Sequence, residues 1–184
     1  RQGVPRRARL IAASLAGAKW GARFAPLSNW LMQAGPTRVL LEQLFGLDRR
    51  CPPPKFARRT FRQWFERRGS DAARTLPAIR PQVVYFVDTW TNFYHPEVGQ
   101  AAVRVLERLV YEVLVPQTRC CGRPLISQGL LSAARALAEA NVDILTPYAE
   151  RGLLIVSTEP SCVSAMLDEW PQMVRTPAAR RVAR

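Results

Sequence analysis

The stretch Glu112-Val-Leu-Val-Pro-Gln-Thr-Arg-Cys-Cys-Gly-Arg-Pro124 decides how this chain folds, because two adjacent cysteines and a glycine closely follow a short apolar run. The apolar run has the character of a buried strand. Neighbouring side chains on a strand point to opposite faces, so a core would use at most one of Cys120 and Cys121. Gly122 permits a sharp bend that can turn both sulfurs toward one site.

Two further apolar runs flank this stretch at the spacing of an α/β unit. Val83–Val87 and Leu153–Val156 are predicted strands, as is Glu112–Val115. Alternation of strands with helices predicts an α/β fold, with a small parallel βαβαβ sheet in three layers. The predicted helices are Gly99–Val110 (Ala102, Val105, Leu106 and Leu109 on one face), Leu130–Arg151, which Gly152 stops, and Ser161–Trp170, which Ser161 caps.

In a parallel sheet all strand-to-helix loops lie at one edge. Loops 88–96, 116–128 and 157–162 therefore meet, and they bring Cys120, Cys121 and Cys162 together. Soft thiolates select zinc, copper(I) or iron–sulfur centres. Buried free thiols and a strained vicinal disulfide remain alternatives. We expect the aromatics Trp90, Phe93 and Tyr94 of the first loop to be core residues beneath it.

Residues 1–80 form a basic lead-in that is predicted to be helical. They hold 17 Lys and Arg against 4 Asp and Glu, whereas residues 81–184 hold 10 of each. A linker is predicted from Gly69 to Pro81, with a domain boundary near residue 80. A nucleic acid, an acidic partner, an anionic membrane and a merely solvated basic face all fit this charge. The apolar residues Trp20, Phe24, Leu27, Trp30, Leu31, Val39, Leu40, Leu44, Phe45 and Leu47 recur at helical spacing.

Composition excludes some classes of protein. The 184 residues are 48% hydrophobic, enough for a core, yet no apolar run is long enough to predict a membrane-spanning helix. No signal peptide is apparent, and four cysteines do not make a disulfide scaffold. We therefore expect a reducing, cytoplasmic compartment. Because the chain begins without Met, we expect it to be an excerpt of a longer protein.

Four stretches in order carry a family resemblance. They are Phe86-Val-Asp-Thr-Trp-Thr-Asn-Phe-Tyr-His-Pro-Glu-Val-Gly99, Ala102-Val-Arg-Val-Leu-Glu107, Cys120-Cys-Gly-Arg-Pro-Leu-Ile-Ser-Gln-Gly129 and Glu159-Pro-Ser-Cys162. The chain resembles the CCG, or cysteine-rich, domain family of iron–sulfur oxidoreductase subunits, such as those of glycolate oxidase and anaerobic glycerol-3-phosphate dehydrogenase. The match covers roughly residues 81–172, and we assign residues 81–184 to one CCG domain.

The resemblance implies electron transfer. It implies that Cys120, Cys121 and Cys162 bind an iron–sulfur cluster of the 4Fe-4S type, with no catalytic residue in this chain. A flavin domain or partner protein with bound FAD would oxidise a 2-hydroxy acid or glycerol 3-phosphate, and electrons would pass toward a quinone. A ferredoxin-like domain is a further implied partner. Peripheral contact with the inner face of the cytoplasmic membrane is implied, and no nucleic-acid partner is expected.

The chain departs from the family pattern at two positions. Thr89 and Ala165 stand where family members often have cysteines, so only three thiolates remain for a cluster that usually takes four. A second CCG repeat could complete the site, or this repeat could have lost its cluster. Asp88 is a conceivable, though unusual, replacement ligand.

Other chemistries stay open. His95 with the three cysteines could form a Cys₃His zinc site, although we favour a loop histidine that caps backbone groups. Arg119 and Arg123 could lower thiol pKa values for a thiol-based enzyme. A structural zinc-binding or nucleic-acid-binding module is the alternative function. We expect Cys51 to be a bystander and Glu159 to be a solvated loop acid.

Overall fold

The computed structural model describes residue 10 and residues 17–72 and 80–184. Its three strands are β1 (Gln82–Tyr85), β2 (Glu112–Leu114) and β3 (Leu154–Val156). They form a parallel sheet in the order β2-β1-β3, with Val83 opposite both Val113 and Leu154. The predicted α/β fold with a small parallel sheet is confirmed.

Helices surround the sheet. The lead-in contains α1 (17–23), α2 (Ala25–Gln33), α3 (Gly35–Phe45) and α4 (Phe61–Ala72). The helices that follow β1 are α5 (Thr89–Phe93), α6 (Pro96–Arg108), α7 (Arg123–Ser127), α8 (Leu131–Glu150), α9 (Pro160–Ser164), a π-helical turn (Ala165–Glu169), α10 (Trp170–Val174) and α11 (Pro177–Val182).

The central strand β1 divides the core into two layers. Successive side chains on a strand face opposite ways, and Val83 and Tyr85 accordingly pack with Phe61 of α4 and Val103 of α6. On the other face, a second core contains Val84, Phe86, Ala138, Val142, Leu145 and Trp170. Helices on both faces of the sheet give the predicted three layers.

The predicted buried face of α6 is confirmed for Ala102 and Leu106, which pack against the core, and is wrong for Val105 and Leu109. Val105 and Leu109 are 57% and 61% exposed, whereas Gly99 and Val103 are buried. Gly99 explains the difference, because a Cβ there would lie 2.6 Å from the Phe61 ring. The helix turns Gly99 toward α4, and Val105 and Leu109 lie on its exposed side.

The predicted helix Ser161–Trp170 is three consecutive pieces: α9, the π-helical turn and α10. Ser161 is not its cap. Glu159 is the N-cap, and its carboxylate accepts hydrogen bonds from Ser161 N at 3.2 Å and from Ser161 Oγ at 2.7 Å. The expectation that Glu159 is a solvated loop acid is therefore also wrong.

The first two helices of the lead-in, α1 and α2, pack through their small residues. Ala18, Ala22 and Ala25 are buried, whereas Trp20 and Trp30 are 64% and 70% exposed. Helix α4 continues to Ala72, beyond the predicted linker start at Gly69, and residues 73–79 of that linker lie outside the described residues. The boundary near residue 80 stays a prediction. Within the described part of the chain, no helix combines the length and apolar character needed to cross a membrane.

Candidate functional site

The three predicted cysteines meet at the carboxyl edge of the sheet. Cys120 and Cys121 lie between β2 and α7, and Cys162 lies in α9 after β3. Sγ of Cys162 is 2.8 Å from Sγ of Cys121, although 41 residues separate them. Cys121 and Cys162 are buried, Cys120 is half-buried, and all are free thiols. The convergence of the loops brings the sulfurs together as predicted, without a vicinal disulfide.

Gly122 gives the cysteine loop its bend. Its φ of 87° lies in the left-handed region, which is costly for a residue that carries a Cβ. A Cβ there would also lie 3.4 Å from the carbonyl oxygen of Ala134. Gly122 is the N-cap of α7, so this helix begins directly after the cysteine pair.

Two buried side chains that the sequence did not single out hold the backbone of the pair. Asn141 Oδ1 accepts a hydrogen bond from Arg119 N at 2.7 Å, and Asn141 Nδ2 donates to Cys120 O at 3.0 Å. Trp170 Nε1 donates to Cys121 O at 2.9 Å. Asn141 on α8 and Trp170 on α10 therefore fix the cysteine loop from the helical layer. The sequence shows a single polar position within a mostly apolar helix face at Asn141, but not which groups that side chain contacts.

The two positions that depart from the family pattern differ in the structure. Thr89 begins α5, and its side chain lies near enough to the Cys120 thiol to favour a lower pKa for that group. Asp88 caps this helix, with its Oδ1 accepting from Thr91 N at 2.9 Å. Ala165 is fully buried in the core. Thr89 thus stands beside the thiols, while Ala165 serves packing.

The thiols of Cys120 and Cys121 are held in the protonated form. The hydrogen bond with Cys121 and then burial raise the pKa of Cys120 well above its ordinary value. For Cys121, the hydrogen bond from Cys120 favours the thiolate. Its hydrogen bond with Cys162 and burial outweigh this effect, and the pKa rises to about 12. The predicted lowering of thiol pKa values beside Arg119 and Arg123 is wrong, and protonated thiols are poor nucleophiles.

The other predicted ligands lie elsewhere. His95 is the N-cap residue of α6, but its side chain makes no capping bond, and its Nδ1 lies 2.9 Å from Glu97 Oε1. The favoured backbone-capping role for this side chain is therefore wrong. Cys51 is exposed. Among the described residues, no group of three or more His, Cys, Asp or Glu side chains is arranged to hold a metal ion.

Cys120, Cys121 and Cys162 are described residues and are not arranged around a metal position as they stand, but their donor chemistry suits an iron–sulfur cluster. Such clusters are held by cysteine thiolates, and Cys120, Cys121 and Cys162 line one cavity together with Thr89 and Asp88. They supply three soft ligands. The contact between the Cys121 and Cys162 sulfurs must open, and the thiols must lose their protons, before a cluster can bind.

A cavity of about 820 Å³ opens beside these sulfurs. The lead-in forms its other wall, through residues such as Leu31, Met32, Leu41 and Phe56. Trp90 and Tyr94 also line it, so the prediction that these two aromatics are core residues is wrong.

The basic lead-in contributes to the site through Arg62. Its Nη1 donates to Pro116 O at 2.8 Å, and its Nη2 donates to Thr118 Oγ1 at 3.0 Å. Burial lowers the pKa of this guanidinium. Arg68 pairs with Glu107 at 2.5 Å and lies over the Trp64 ring. These arginines therefore secure α4 to the α/β domain and hold the loop that leads into Cys120.

Comparison with known proteins gives a consistent result. Residues 83–167 match the family described as CCG, cysteine-rich domain. The chain is 31% identical over 153 residues to one of the subunits of anaerobic glycerol-3-phosphate dehydrogenase from Escherichia coli (strain K12), covering 82% of this chain and 38% of the relative. No solved structure matches the chain significantly.

Lactate utilization protein A is a second kind of relative. The protein from Geobacillus thermodenitrificans (strain NG80-2) is 33% identical over 95 residues, covering 51% of this chain and 38% of the relative. The protein from Bacillus thuringiensis (strain Al Hakam) gives the same identity and coverage. The chain thus spans less than half the length of these curated relatives.

Proposed function

Residues 83–167 of this chain belong to the CCG cysteine-rich domain family, and on that premise we propose that the chain is an iron–sulfur electron-transfer component of a flavin-dependent dehydrogenase. The observation that carries the proposal is the convergence of Cys120, Cys121 and Cys162 on one cavity. The relatives' names, one from a dehydrogenase and one from lactate utilization, support an oxidoreductase-related role.

The three cysteines are the proposed cluster ligands. A bound 4Fe-4S cluster supplies a one-electron carrier at this edge of the sheet. The rest of the chain positions the ligands: Arg62 and Asn141 hold the cysteine loop, and Glu159 caps the helix that carries Cys162. Binding requires the release of thiol protons, so we expect cluster assembly to be favoured at higher pH.

The proposed electron donor is a partner that carries FAD and oxidises either glycerol 3-phosphate or a 2-hydroxy acid such as glycolate or lactate. Two of these substrates appear in the relatives' names. The proposed acceptor is a quinone. A ferredoxin-like domain is a proposed neighbour in the electron path.

The lead-in is the proposed docking surface for these partners or for the inner face of the cytoplasmic membrane. Its exposed apolar residues Trp20 and Phe24 lie on or beside α1 with the exposed cations Lys19 and Arg23. Aromatic and basic residues together favour an anionic lipid surface. The proposed location is therefore the cytoplasm, with peripheral contact to the membrane through the lead-in.

Metal analysis tests the proposal. Protein purified without oxygen is assayed for iron and acid-labile sulfide per chain, with its visible spectrum. We expect iron and sulfide in similar amounts, lost in Cys121→Ser and in Cys162→Ser. Cys51→Ser is the matched control, because Cys51 is exposed and outside the cavity lining. Zinc without sulfide, or no metal at all, contradicts the proposal.

A further inference from the structure

The cavity beside the cysteines is larger than a cysteine site alone requires. At about 820 Å³ it falls within the range of small-molecule sites, about 300 to 1,000 Å³. Protein interiors are otherwise close-packed, with few voids larger than a water molecule. The lead-in side of the cavity is built from apolar residues such as Leu31, Met32 and Leu41.

One wall is formed by three aromatic rings that hold each other in place. The rings of Phe56 and Tyr94 have centroids 5.0 Å apart, as have those of Trp90 and Tyr94. Asn29 fixes the Phe56 backbone, because its Nδ2 donates to Phe56 O at 2.9 Å and its Oδ1 accepts from Phe56 N at 2.8 Å. A preformed wall lowers the entropic cost of binding a flat ligand.

The charged lining residues lie at the cysteine end. Arg123 is two residues from Cys121, Glu159 is three from Cys162, and Asp88 precedes Thr89. A guanidinium offers five N–H donors, and Arg123 uses Nη1 in its ion pair with Glu169. The cavity therefore suits a ligand with an apolar body and a hydrogen-bond acceptor at one end.

The apolar lining of the cavity favours one class of electron acceptor over the others. Nicotinamide and flavin nucleotides carry phosphates, which need several anion-binding groups. The described lining offers a mostly apolar surface instead. We propose that the cavity is the quinone-binding site of this chain, with the ring against Phe56, Trp90 and Tyr94 and a carbonyl oxygen toward Arg123. This inference rests on the proposed electron-transfer function and assigns its acceptor to a place.

The electrons and protons of quinone reduction can be accounted for at this cavity. Reduction of a quinone to a hydroquinone takes up two electrons and two protons, and converts two C=O groups into C–OH groups. The substrate of the flavin partner supplies the electrons, and solvent supplies the protons. The cysteine end of the cavity puts the acceptor's carbonyl oxygen beside the proposed cluster ligands.

Calorimetric titration of the full chain with menadione, a naphthoquinone, tests the site. We expect saturable binding of one molecule per chain. Met32→Trp and Leu41→Trp place bulk in the cavity, and we expect each to weaken binding roughly tenfold or more. Leu27→Trp is the matched control on the same helix as Met32, because Leu27 is exposed and outside the lining. It should change the affinity by less than roughly twofold.

Two further readouts separate the possible failures. Methylnaphthalene has the rings without carbonyl oxygens, so equal affinity for it overturns the assignment of a quinone. Absent or multiple weak binding of menadione, or unchanged affinity in both cavity variants, overturns the site itself. Iron and sulfide are measured on the same samples. Iron without menadione binding rejects the cavity alone, and menadione binding without iron rejects the proposed cluster alone.

Discussion

Thr89 is the more informative of the two positions at which the family resemblance led us to expect a cysteine. Thr89 lines the same cavity as Cys120, Cys121 and Cys162, so a cysteine there would lie beside the existing three. We expect Thr89→Cys to raise the iron and sulfide bound per chain, because it supplies the fourth thiolate that such clusters usually take.

Ser127→Cys is the control for added thiol content, since Ser127 is exposed and outside the cavity lining. It should leave the iron content unchanged. Equal loading of the wild-type chain and Thr89→Cys would instead mean that the chain completes its site without a residue at this position.

The raised thiol pKa values make the metal-free protein sensitive to alkaline pH. Cys121 titrates near 12 in the folded chain but near 9.0 without the fold. Between these values the folded state binds more protons than the unfolded state, so stability falls as pH rises. The expected slope approaches about 1.4 kcal/mol per pH unit for this thiol. Urea unfolding between pH 8 and 11, roughly spanning this window, measures it under reducing conditions.

Cys121→Ala removes this group, and the slope in the same pH window should flatten. Cys51→Ala serves as the control, because Cys51 is exposed. If the slopes of all three proteins coincide, the hydrogen bond with Cys162 and burial do not raise the pKa of Cys121.

Residue patterns predicted where the thiols go but not what holds them. The order of strands and helices was sufficient to bring Cys120, Cys121 and Cys162 to one edge. Arg62 and Asn141 make their loop contacts over 54 and 22 residues. Neither a basic run nor a lone asparagine in a helix indicates such distant partners, because hydrogen bonds of this kind depend on tertiary packing.

At the scale of elements, α8 is the support of the cysteine loop. Asn141 lies fully buried on this helix and satisfies backbone groups of Arg119 and Cys120. We expect Asn141→Ala to lower the free energy of unfolding by about 2 to 4 kcal/mol, since it leaves buried polar groups unpaired. Urea denaturation measures this loss, and metal analysis should show weaker iron retention.

Glu139→Ala on the same helix is the comparison. It removes an exposed ion pair with Arg135, which should cost less than about 0.5 kcal/mol. Equal destabilisation by the two substitutions would show that the helix, and not the amide contacts, determines the loss.

Short elements explain most of the differences between expectation and structure. The five-residue helices α5 and α7 lie in the predicted first and second loops. They are too short for a helical period to stand out. The phase of α6 depends on the contact between Gly99 and Phe61, whose positions lie in different elements. Hydrophobic periodicity predicts that large apolar side chains of α6 face the core. The close approach of α4 instead places Gly99 in the contact between the two helices.

At the scale of the whole molecule, the net positive charge is concentrated in the lead-in, which also carries exposed aromatic residues. Trp20 and Phe24 are exposed beside Lys19 and Arg23. We expect the chain to bind vesicles containing anionic lipids, less tightly as salt increases. Trp20→Glu combined with Phe24→Glu should abolish binding in a vesicle flotation assay.

Val105→Glu is the control for this surface, because Val105 is an exposed apolar residue on α6 outside the lead-in. It should float with the vesicles as the unchanged chain does. Equal loss in both proteins would assign the effect to net charge rather than to the lead-in.

The sulfur contact between Cys121 and Cys162 also has a consequence for the unfolded chain. A group bound to both sulfurs would close a covalently anchored loop of 41 residues. In an unfolded polypeptide, a tether of this length removes chain entropy equivalent to about 4 kcal/mol in the disulfide analogy. If the group stays bound to both sulfurs in denaturant, the protein that carries it should resist unfolding. The main reason is that its unfolded state has fewer accessible conformations. The sulfurs of Cys121 and Cys162, which we propose as cluster ligands, would then also restrict the unfolded chain.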